Sequence, residues 1–323
     1  MSSQFRSVMA GAALAACLIL PATAADNGWL SVPSKSYAAS SLKIDHLVGN
    51  LKIDVRDGGG MSVDMRGEKA RVNDTSVSAS GGVLTIEGSN DDSVWNWRNW
   101  FNFTDMTRDG SDKLFVHVTV PRGSDVRVDE MIGDATIGDT MGVLHFGAVA
   151  SNSTIGKTRE AHISLAGSGK VTLADTQGLL KISVAGSGRV MAGSAKSVHA
   201  STAGAGRIAV NNVSDGVHLD IAGSGDLTAN QVNGPVHIGI AGAGNVRIAG
   251  GEANPLHVSI IGSGHVDFGG TAVDPHISAI GSGNVRMKAY RGNLHNDGAD
   301  VTVGDKHVES GGKHHGDDDD DDD

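Results

Sequence analysis

The stretch His218-Leu-Asp-Ile-Ala-Gly-Ser-Gly-Asp-Leu227 is written, with small changes, seven times along the chain. The first glycines of the seven copies follow one another at intervals of 18 to 20 residues. They are Gly167, Gly186, Gly204, Gly223, Gly242, Gly262 and Gly281. A fixed period of this length is typical of a solenoid, in which each repeat forms one coil.

Within each repeat, aliphatic side chains alternate with polar ones. In the quoted copy Leu219, Ile221 and Leu227 lie an even number of residues apart, so in an extended chain they point to one face. Turn-forming residues follow, as in Asn230-Gln-Val-Asn-Gly234. The pattern predicts an all-β fold, a parallel β-solenoid (β-helix) with about 19 residues per coil. Both glycines of Gly-x-Gly fall on the inward positions, which predicts a bend or a close approach of the opposite wall there.

The chain divides into four predicted parts. It has 323 residues, of which 46 are glycine and only 4% are aromatic, so a thin repetitive body is favoured over a bulky core. We predict a signal peptide over 1–24, a less regular β-rich part over 25–131 with an aromatic insertion at 89–112, regular coils over 132–305, and a disordered tail over 306–323. His145 resembles the histidine position of a degenerate repeat.

The first 24 residues have the layout of a secretory signal. An apolar run from Val8 to Leu20 follows Arg6 and leads to the small-x-small site Ala22-Thr-Ala24. Leu14-Ala-Ala-Cys17 also resembles a lipobox, which would lipidate Cys17, but Leu18-Ile-Leu20 prolongs the apolar run and favours ordinary cleavage. No later apolar run reaches the ~20 residues of a membrane helix, so we expect no transmembrane segment after cleavage. The expected location is the periplasm or cell surface of a bacterium.

The net charge indicates which partners the protein can bind, and the cysteine content indicates whether disulfides can stabilise it. The formal charge is −11, but Asp317 to Asp323 contribute seven of these charges, which leaves −4 for the rest. Nucleic-acid binding calls for a basic face, and the composition does not predict one. Cys17 is the single cysteine and lies within the signal, so stability must come from packing rather than disulfides. We expect an envelope or extracellular polymer or protein as the partner.

Several motifs upstream of the repeats carry a family resemblance. They are a Leu-x-Ile-x-Val opening at Leu51-Lys-Ile-Asp-Val55, a strand at Gly82-Val-Leu-Thr-Ile86 and a turn at Val118-Thr-Val-Pro121, followed by the Gly-Ser-Gly repeats. In this order they resemble the bacterial "putative autotransporter adhesin, head GIN domain" family over roughly residues 40 to 305. The resemblance implies an exported β-helical protein with a role in adhesion. It supplies no functional residues.

A histidine recurs five residues before the first glycine of most copies. Its members are His162, His199, His218, His237, His257 and His276, with Lys181 in one copy. On stacked coils these side chains would form an outward row with a spacing of about 4.8 Å. Neighbouring imidazoles could bind a divalent transition metal. Alternatively, duplication has copied an exposed polar residue that needs no ligand.

The aromatic insertion and the tail are the other candidate sites. Trp95, Trp97, Trp100, Phe101 and Phe103 form an aromatic patch that could contact a sugar, a lipid headgroup or a protein, or could instead plug an open side of the coil. The tail of seven aspartates is typical of a solvated segment. It could also gather Ca²⁺ weakly or keep the last strand edge from pairing.

Catalysis is not predicted. Gly-Ser-Gly is not the Gly-x-Ser-x-Gly nucleophile elbow, and the chain has no phosphate loop ending in Gly-Lys-Ser/Thr. His and Ser recur with equal weight on several coils, whereas a triad needs one unequal site with free oxyanion donors. The sequence therefore favours a non-catalytic, adhesin-like binding module of the cell envelope. The alternative is a periplasmic structural or metal-binding protein that uses the histidine row and the poly-Asp tail.

Overall fold

Alternating aliphatic and polar residues place nearly every described segment in a β-strand. The computed structural model describes residues 28–88 and 114–308, and the backbone of 313–315. Its strands in chain order are β1 (Trp29–Tyr37), β2 (Ser41–Asp45), β3 (Asn50–Arg56), β4 (Met61–Glu68), β5 (Ser76–Ser80), β6 (Val83–Glu87), β7 (Leu114–Pro121), β8 (Asp125–Ile132), β9 (Ala135–Ile137), β10 (Val143–Ile155), β11 (Glu160–Leu173), β12 (Leu179–Gly186), β13 (Arg189–Ala192), β14 (Ser197–Gly204), β15 (Arg207–Val213), β16 (Val217–Gly223), β17 (Asp226–Gly242), β18 (Asn245–Gly262), β19 (His265–Val273), β20 (His276–Gly281), β21 (Asn284–Arg291), β22 (Asn293–Asp297), β23 (Asp300–Val303), β24 (Lys306–Val308) and β25 (Lys313–His315).

The strands stack in parallel and in register, so the predicted β-solenoid is confirmed, with about nine turns. A first sheet contains the whole strands β8, β12, β14, β16, β20 and β22. It also contains the first halves of β10 and β11 and the second halves of β17 and β18. A second sheet contains β9, β13, β15, β19, β21 and the remaining halves of the long strands. A third, shorter wall is formed by pairings such as Ala195 with Val213 and Val213 with Val232.

The interior is a set of aliphatic ladders. Ile182, Ala200, Leu219 and Ile238 occupy equivalent positions on four successive coils, and each is at most 3% exposed. Complete burial of one such branched aliphatic side chain contributes about 1.5–3 kcal/mol. Because every coil adds the same residues at the same positions, the core extends along the molecule rather than thickening. This explains how a chain with few aromatics can enclose a continuous core.

The two glycines of Gly-x-Gly have different roles. The second glycine is buried in six of the seven copies, as predicted, and a Cβ at Gly225 would lie 2.6 Å from Cγ2 of Thr202. The first glycine lies instead on the outer corner, where Gly186 and Gly204 are exposed. Its positive φ, +118° at Gly223, turns the chain and breaks the inward parity that the sequence suggested. The bend was therefore predicted correctly, but only one of the two glycines faces the interior.

The N-terminal coils are not stacked in sequence order. Strand β2 lies between β6 and β8, and β3 lies between β7 and β9, all in parallel. The coil over 41–56 is therefore inserted between strands from 83–121 and strands from 125–137. Beyond β7, β4 and β1 continue the second sheet in antiparallel orientation, and α1 (Lys69–Asn73) packs on both. β5 pairs antiparallel with β6 and ends the first sheet.

Short antiparallel strands also cover the C-terminal end. β24 pairs with β23, and β25 pairs with β22. Within the segment 306–323, residues 306–308 and 313–315 form strands, because the unpaired edges of the last coil offer hydrogen-bond partners to them. Residues 1–27, the whole aromatic insertion at 89–112 and the poly-Asp run lie outside the described residues. Among the described residues, none of the helices has the length and apolar character needed to cross a membrane.

Candidate functional site

The outer side of the first sheet carries a continuous column of basic and imidazole side chains, called the basic row below. Parallel pairing places each member directly beside the next. Its members are Lys43, Arg127, His145, His162, Lys181, His199, His218, His237, His257, His276 and His295. All of them are exposed or half-buried, since the residues on either side of each point inward.

The imidazole rings of the basic row are in close contact from coil to coil. Ring centroids of neighbouring histidines are 4.5 to 6.0 Å apart. His237, His257 and His276 are stacked nearly parallel, with interplanar angles of 4° and 12°. The other pairs are tilted by 32° to 58°. The spacing follows the separation of adjacent strands, so it is imposed by the backbone ladder.

Two columns of small side chains run alongside the basic row. A middle column, two residues after each row position, contains mainly serine, glycine and aspartate; an edge column, four residues after, is mainly alanine. A groove of about 400 Å³ lies between the basic row and the middle column over the C-terminal coils. A second groove of about 520 Å³ follows the middle and edge columns from Ser164 to Ile261. Ile261 and Ile280 extend the edge column and are 57% and 70% exposed.

Carboxylates lie beside some members of the basic row but not beside others. Lys43 and Arg127 are paired with Asp45 and Asp129 of the middle column. His218 Nε2 lies 3.1 Å from Oδ2 of Asp220. The positions beside His237, His257 and His276 are instead Gly239, Ser259 and Ser278, which bear no charge. The segment from His237 to His276 therefore has no carboxylate beside it in the middle column.

Burial and mutual repulsion both act on the imidazoles. Burial lowers the pKa of His257, and the neighbouring His237 and His276 lower it further. Burial likewise lowers the pKa of His162, reinforced by His145 and Lys181 and opposed by Glu160. Nδ1 of His257 is shielded from solvent and has no hydrogen-bond partner among the described residues. These rings therefore compete with one another for protons.

The predicted metal site would lie on the stacked imidazoles of the basic row. Among the residues that the structure describes, no group of three or more His, Cys, Asp or Glu side chains is arranged to hold one metal ion. Stacked imidazoles direct their nitrogen lone pairs in parallel planes, whereas ligands of one metal converge on it. A metal bridging two neighbouring rings would require those rings to turn. Metal binding by His162, His199, His218, His237, His257 and His276 remains a prediction.

The structure adds three members to the row predicted from sequence, and it confirms that His145 occupies the histidine position of a degenerate repeat. The six predicted histidines and Lys181 share one column, and Lys43, Arg127, His145 and His295 extend it. In the sequence, Lys43 and Arg127 each stand between two aliphatic residues, as in Leu42-Lys43-Ile44. Both residues precede the regular repeats, so the repeat pattern does not identify them. The aromatic patch of Trp95, Trp97, Trp100, Phe101 and Phe103 lies outside the described residues.

A separate polar cluster lies on β3, β4 and β7 of the second sheet. His117 on β7 contacts carboxylates through both ring nitrogens: Nε2 is 2.9 Å from Oδ2 of Asp54, and Nδ1 is 3.0 Å from Oδ1 of Asp64. Lys52 donates a hydrogen bond to Asp54, and this contact is the main cause of the lowered pKa of Asp54. Because both ring nitrogens are occupied, His117 ties β3, β7 and β4 together and offers no free nitrogen to a ligand.

The chain resembles known proteins in the following respects. A family model described as "Putative auto-transporter adhesin, head GIN domain" matches residues 43–251 and 212–301. Comparison with curated protein sequences returned no match. A crystal structure of a "putative adhesin" from Bacteroides fragilis NCTC 9343 is 15% identical with a TM-score of 0.46, covering 68% of this chain and 96% of that chain. A "putative lipid binding protein" from Parabacteroides distasonis ATCC 8503 is 16% identical with a TM-score of 0.44, covering 81% and 97%.

Proposed function

Because the chain belongs to the family described as "Putative auto-transporter adhesin, head GIN domain", we propose that it is an exported, adhesin-like binding module of the bacterial cell envelope and that it is not an enzyme. Export is supported by the signal-like sequence over 1–24 and its small-x-small site. The partner that we propose is an extended polymer or protein of the envelope or the extracellular space.

One observation carries the proposal: the outer side of the first sheet repeats the same columns on successive coils. The basic row, the middle column and the edge column together form a long face on which each coil offers the same contacts to a ligand. Two grooves of about 400 and 520 Å³ run along it. An extended ligand that lies along the coils would engage many equivalent contacts at once, each weak alone.

Non-catalytic action is supported by the equivalence of the coils. Histidine and serine recur together at His162 and Ser164, at His199 and Ser201, and at His257 and Ser259. A catalytic site needs one unequal arrangement of nucleophile, base and oxyanion donors, whereas here the backbone N–H groups of the strands pair with the adjacent coils.

The binding experiment uses the full chain and surface-immobilised envelope polymers. Replacing Ala185, Ala203 and Ala222 of the edge column by glutamine fills the larger groove and should weaken binding about tenfold or more. The matched control replaces Met191, Ala209 and Thr228, which lie six residues later on the second sheet of the same coils. Equal binding by both variants and the unchanged chain would exclude this face.

A periplasmic structural or metal-binding role is the second candidate, favoured by the close imidazole contacts of the basic row. Isothermal titration with Zn²⁺ or Cu²⁺ at neutral pH should then show uptake that disappears in a His237→Gln, His257→Gln double variant. Absence of uptake by the unchanged chain would exclude it.

The aromatic patch is retained as a second proposed contact surface. Trp97→Ala and Trp100→Ala should reduce binding to envelope polymers and leave the unfolding midpoint unchanged if the patch contacts a ligand. Reduced stability would indicate a plug instead. Fractionation of cells into periplasm, membrane and surface would test the proposed location and the alternative of a lipid anchor at Cys17.

A further inference from the structure

The basic row is longer and more continuous than its histidines alone. It crosses eleven strands of the first sheet, and each of its members can carry a positive charge. The members stand one per strand, which fixes their spacing at about 4.8 Å along the solenoid. The result is a line of basic groups rather than a patch, although the chain as a whole carries a formal charge of −11.

The charged groups that flank this line are few. They stand two residues before or after a row member, on the strands that carry the row. They are Asp45, Asp125, Asp129, Glu160, Asp220, Asp274 and Asp297. Between Asp220 and Asp297 the middle column has no carboxylate, so His237, His257 and His276 face Gly239, Ser259 and Ser278 across the smaller groove. On the opposite side of the row, two residues before each histidine of this segment, Asp274 is the single carboxylate among the described residues.

Protonation of this segment is self-limiting. Each new imidazolium lies about 5 Å from the next ring in the stacked pairs, and like charges at that distance repel. An anion placed in the adjacent groove would remove this repulsion and favour further protonation. By thermodynamic linkage, proton uptake then strengthens anion binding by the same factor.

We propose that the basic row is a binding track for a linear acidic polysaccharide. This inference rests on the proposed function, because it names the ligand class of the same face. The carboxylates of the sugar chain would lie along the imidazoles, and its hydroxyls would face the serines of the middle column. A nucleic acid is disfavoured because no Phe, Tyr or Trp side chain stands beside the row in its described columns, whereas unpaired bases bind through aromatic stacking.

The test uses the full chain and polygalacturonate oligosaccharides at low ionic strength. We expect affinity to be about tenfold or more tighter at about pH 6 than at about pH 8, because protonated imidazole attracts the uronate carboxylates, which remain ionised over this interval. Binding should take up protons, measured from the buffer dependence of the calorimetric enthalpy. It should also weaken with added salt, because a charged polymer is held by ion pairing.

Two sets of variants separate the row from the overall charge of the protein. His237→Gln, His257→Gln and His276→Gln together should reduce affinity at about pH 6 by about tenfold. The same three positions changed to lysine should keep binding at about pH 8 and remove the pH dependence. Lysines at Met191, Ala209 and Thr228 add similar charge to the second sheet and should not restore binding at about pH 8.

The outcomes distinguish this inference from the proposed function. If envelope polymers bind but the glutamine and lysine variants behave like the unchanged chain, the track is overturned and the binding module stands. If neutral dextran or single-stranded oligonucleotides bind the row as tightly as polygalacturonate, the ligand class is wrong. If no envelope polymer binds the chain at all, the proposed function itself fails.

Discussion

At the scale of single residues, the first glycine of each Gly-x-Gly fixes how closely one coil approaches the next. The carbonyl oxygen of Gly204 accepts a hydrogen bond from the N–H of Ser224 at 2.8 Å. A Cβ at Gly223 would lie 2.6 Å from that same oxygen, and the φ of Gly223 is +118°. The position therefore excludes side chains for both steric and conformational reasons.

Gly223→Ala should lower the free energy of unfolding by about 1–3 kcal/mol, because the added Cβ forces either backbone strain or separation of two coils. Urea denaturation followed by circular dichroism measures this. Ser224→Ala is the matched control, since the chain itself has alanine at the equivalent positions Ala205 and Ala243. If Gly223→Ala unfolds like the control, the glycine column has no role in coil spacing.

The sequence pattern predicted which aliphatic residues face the interior. It did not predict that the first glycine of Gly-x-Gly lies on the outer corner. Ile182, Val184 and Val190 are buried as the even spacing indicated. The first glycine escaped the parity argument because a positive φ reverses the direction of a side chain, and sequence spacing contains no information about φ. Lys43 and Arg127 escaped the histidine pattern for another reason: their coils precede the regular repeat, so only the parallel pairing reveals that they join the row.

At the scale of elements, the stacked imidazoles of β17, β18 and β20 make the first sheet sensitive to acid. The pKa of His257 is lowered in the folded chain by burial and then by its two neighbours. The unfolded chain therefore binds more protons just below the ordinary histidine pKa of about 6.5, so stability falls as the pH falls through this value. Above it the full stability is retained.

The unfolding midpoint in urea should decrease between about pH 7.5 and about pH 5, and the decrease should be smaller in the His237→Gln, His257→Gln, His276→Gln variant. Carboxylates elsewhere titrate in both proteins, so the difference between the two pH profiles isolates the imidazoles. Parallel profiles for the two proteins would show that the row does not affect folding.

Each regular coil is an exchangeable unit because its strands have the same register on both sides. Deletion of Val217 to Pro235, one repeat of 19 residues, would place β14 directly beside the second half of β17 with Val198 opposite Val236. The variant should stay folded, with a denaturant m-value lower by about one ninth. Deletion of only Val217 to Asp226 shifts the register and should prevent folding of the neighbouring coils. Equal behaviour of the two deletions would contradict coil equivalence.

At the scale of the whole molecule, the stacking order of the first coils lay beyond sequence reasoning. The sequence predicts a β-rich part over 25–131, but the position of the coil over 41–56 between the strands over 83–121 and 125–137 depends on long-range pairing. Equivalent aliphatic patterns fit any neighbouring coil, so local sequence does not decide which coil stacks on which. By contrast, the regular repeats after residue 132 predict that the coils stack in sequence order, and they do so in the structure.

Closing the ends of the solenoid is the other whole-molecule requirement, since an open coil offers unpaired N–H and C=O groups to a second molecule. Removing residues 304–323 deletes β24 and β25 and exposes the edges of β23 and β22. We expect this truncated chain to associate end to end as concentration rises, measured by light scattering after size exclusion. Truncation after Gly316 removes the seven aspartates but keeps both strands, so it should behave like the full chain. Association of the second truncation alone would assign protection to the acidic charge rather than to edge pairing.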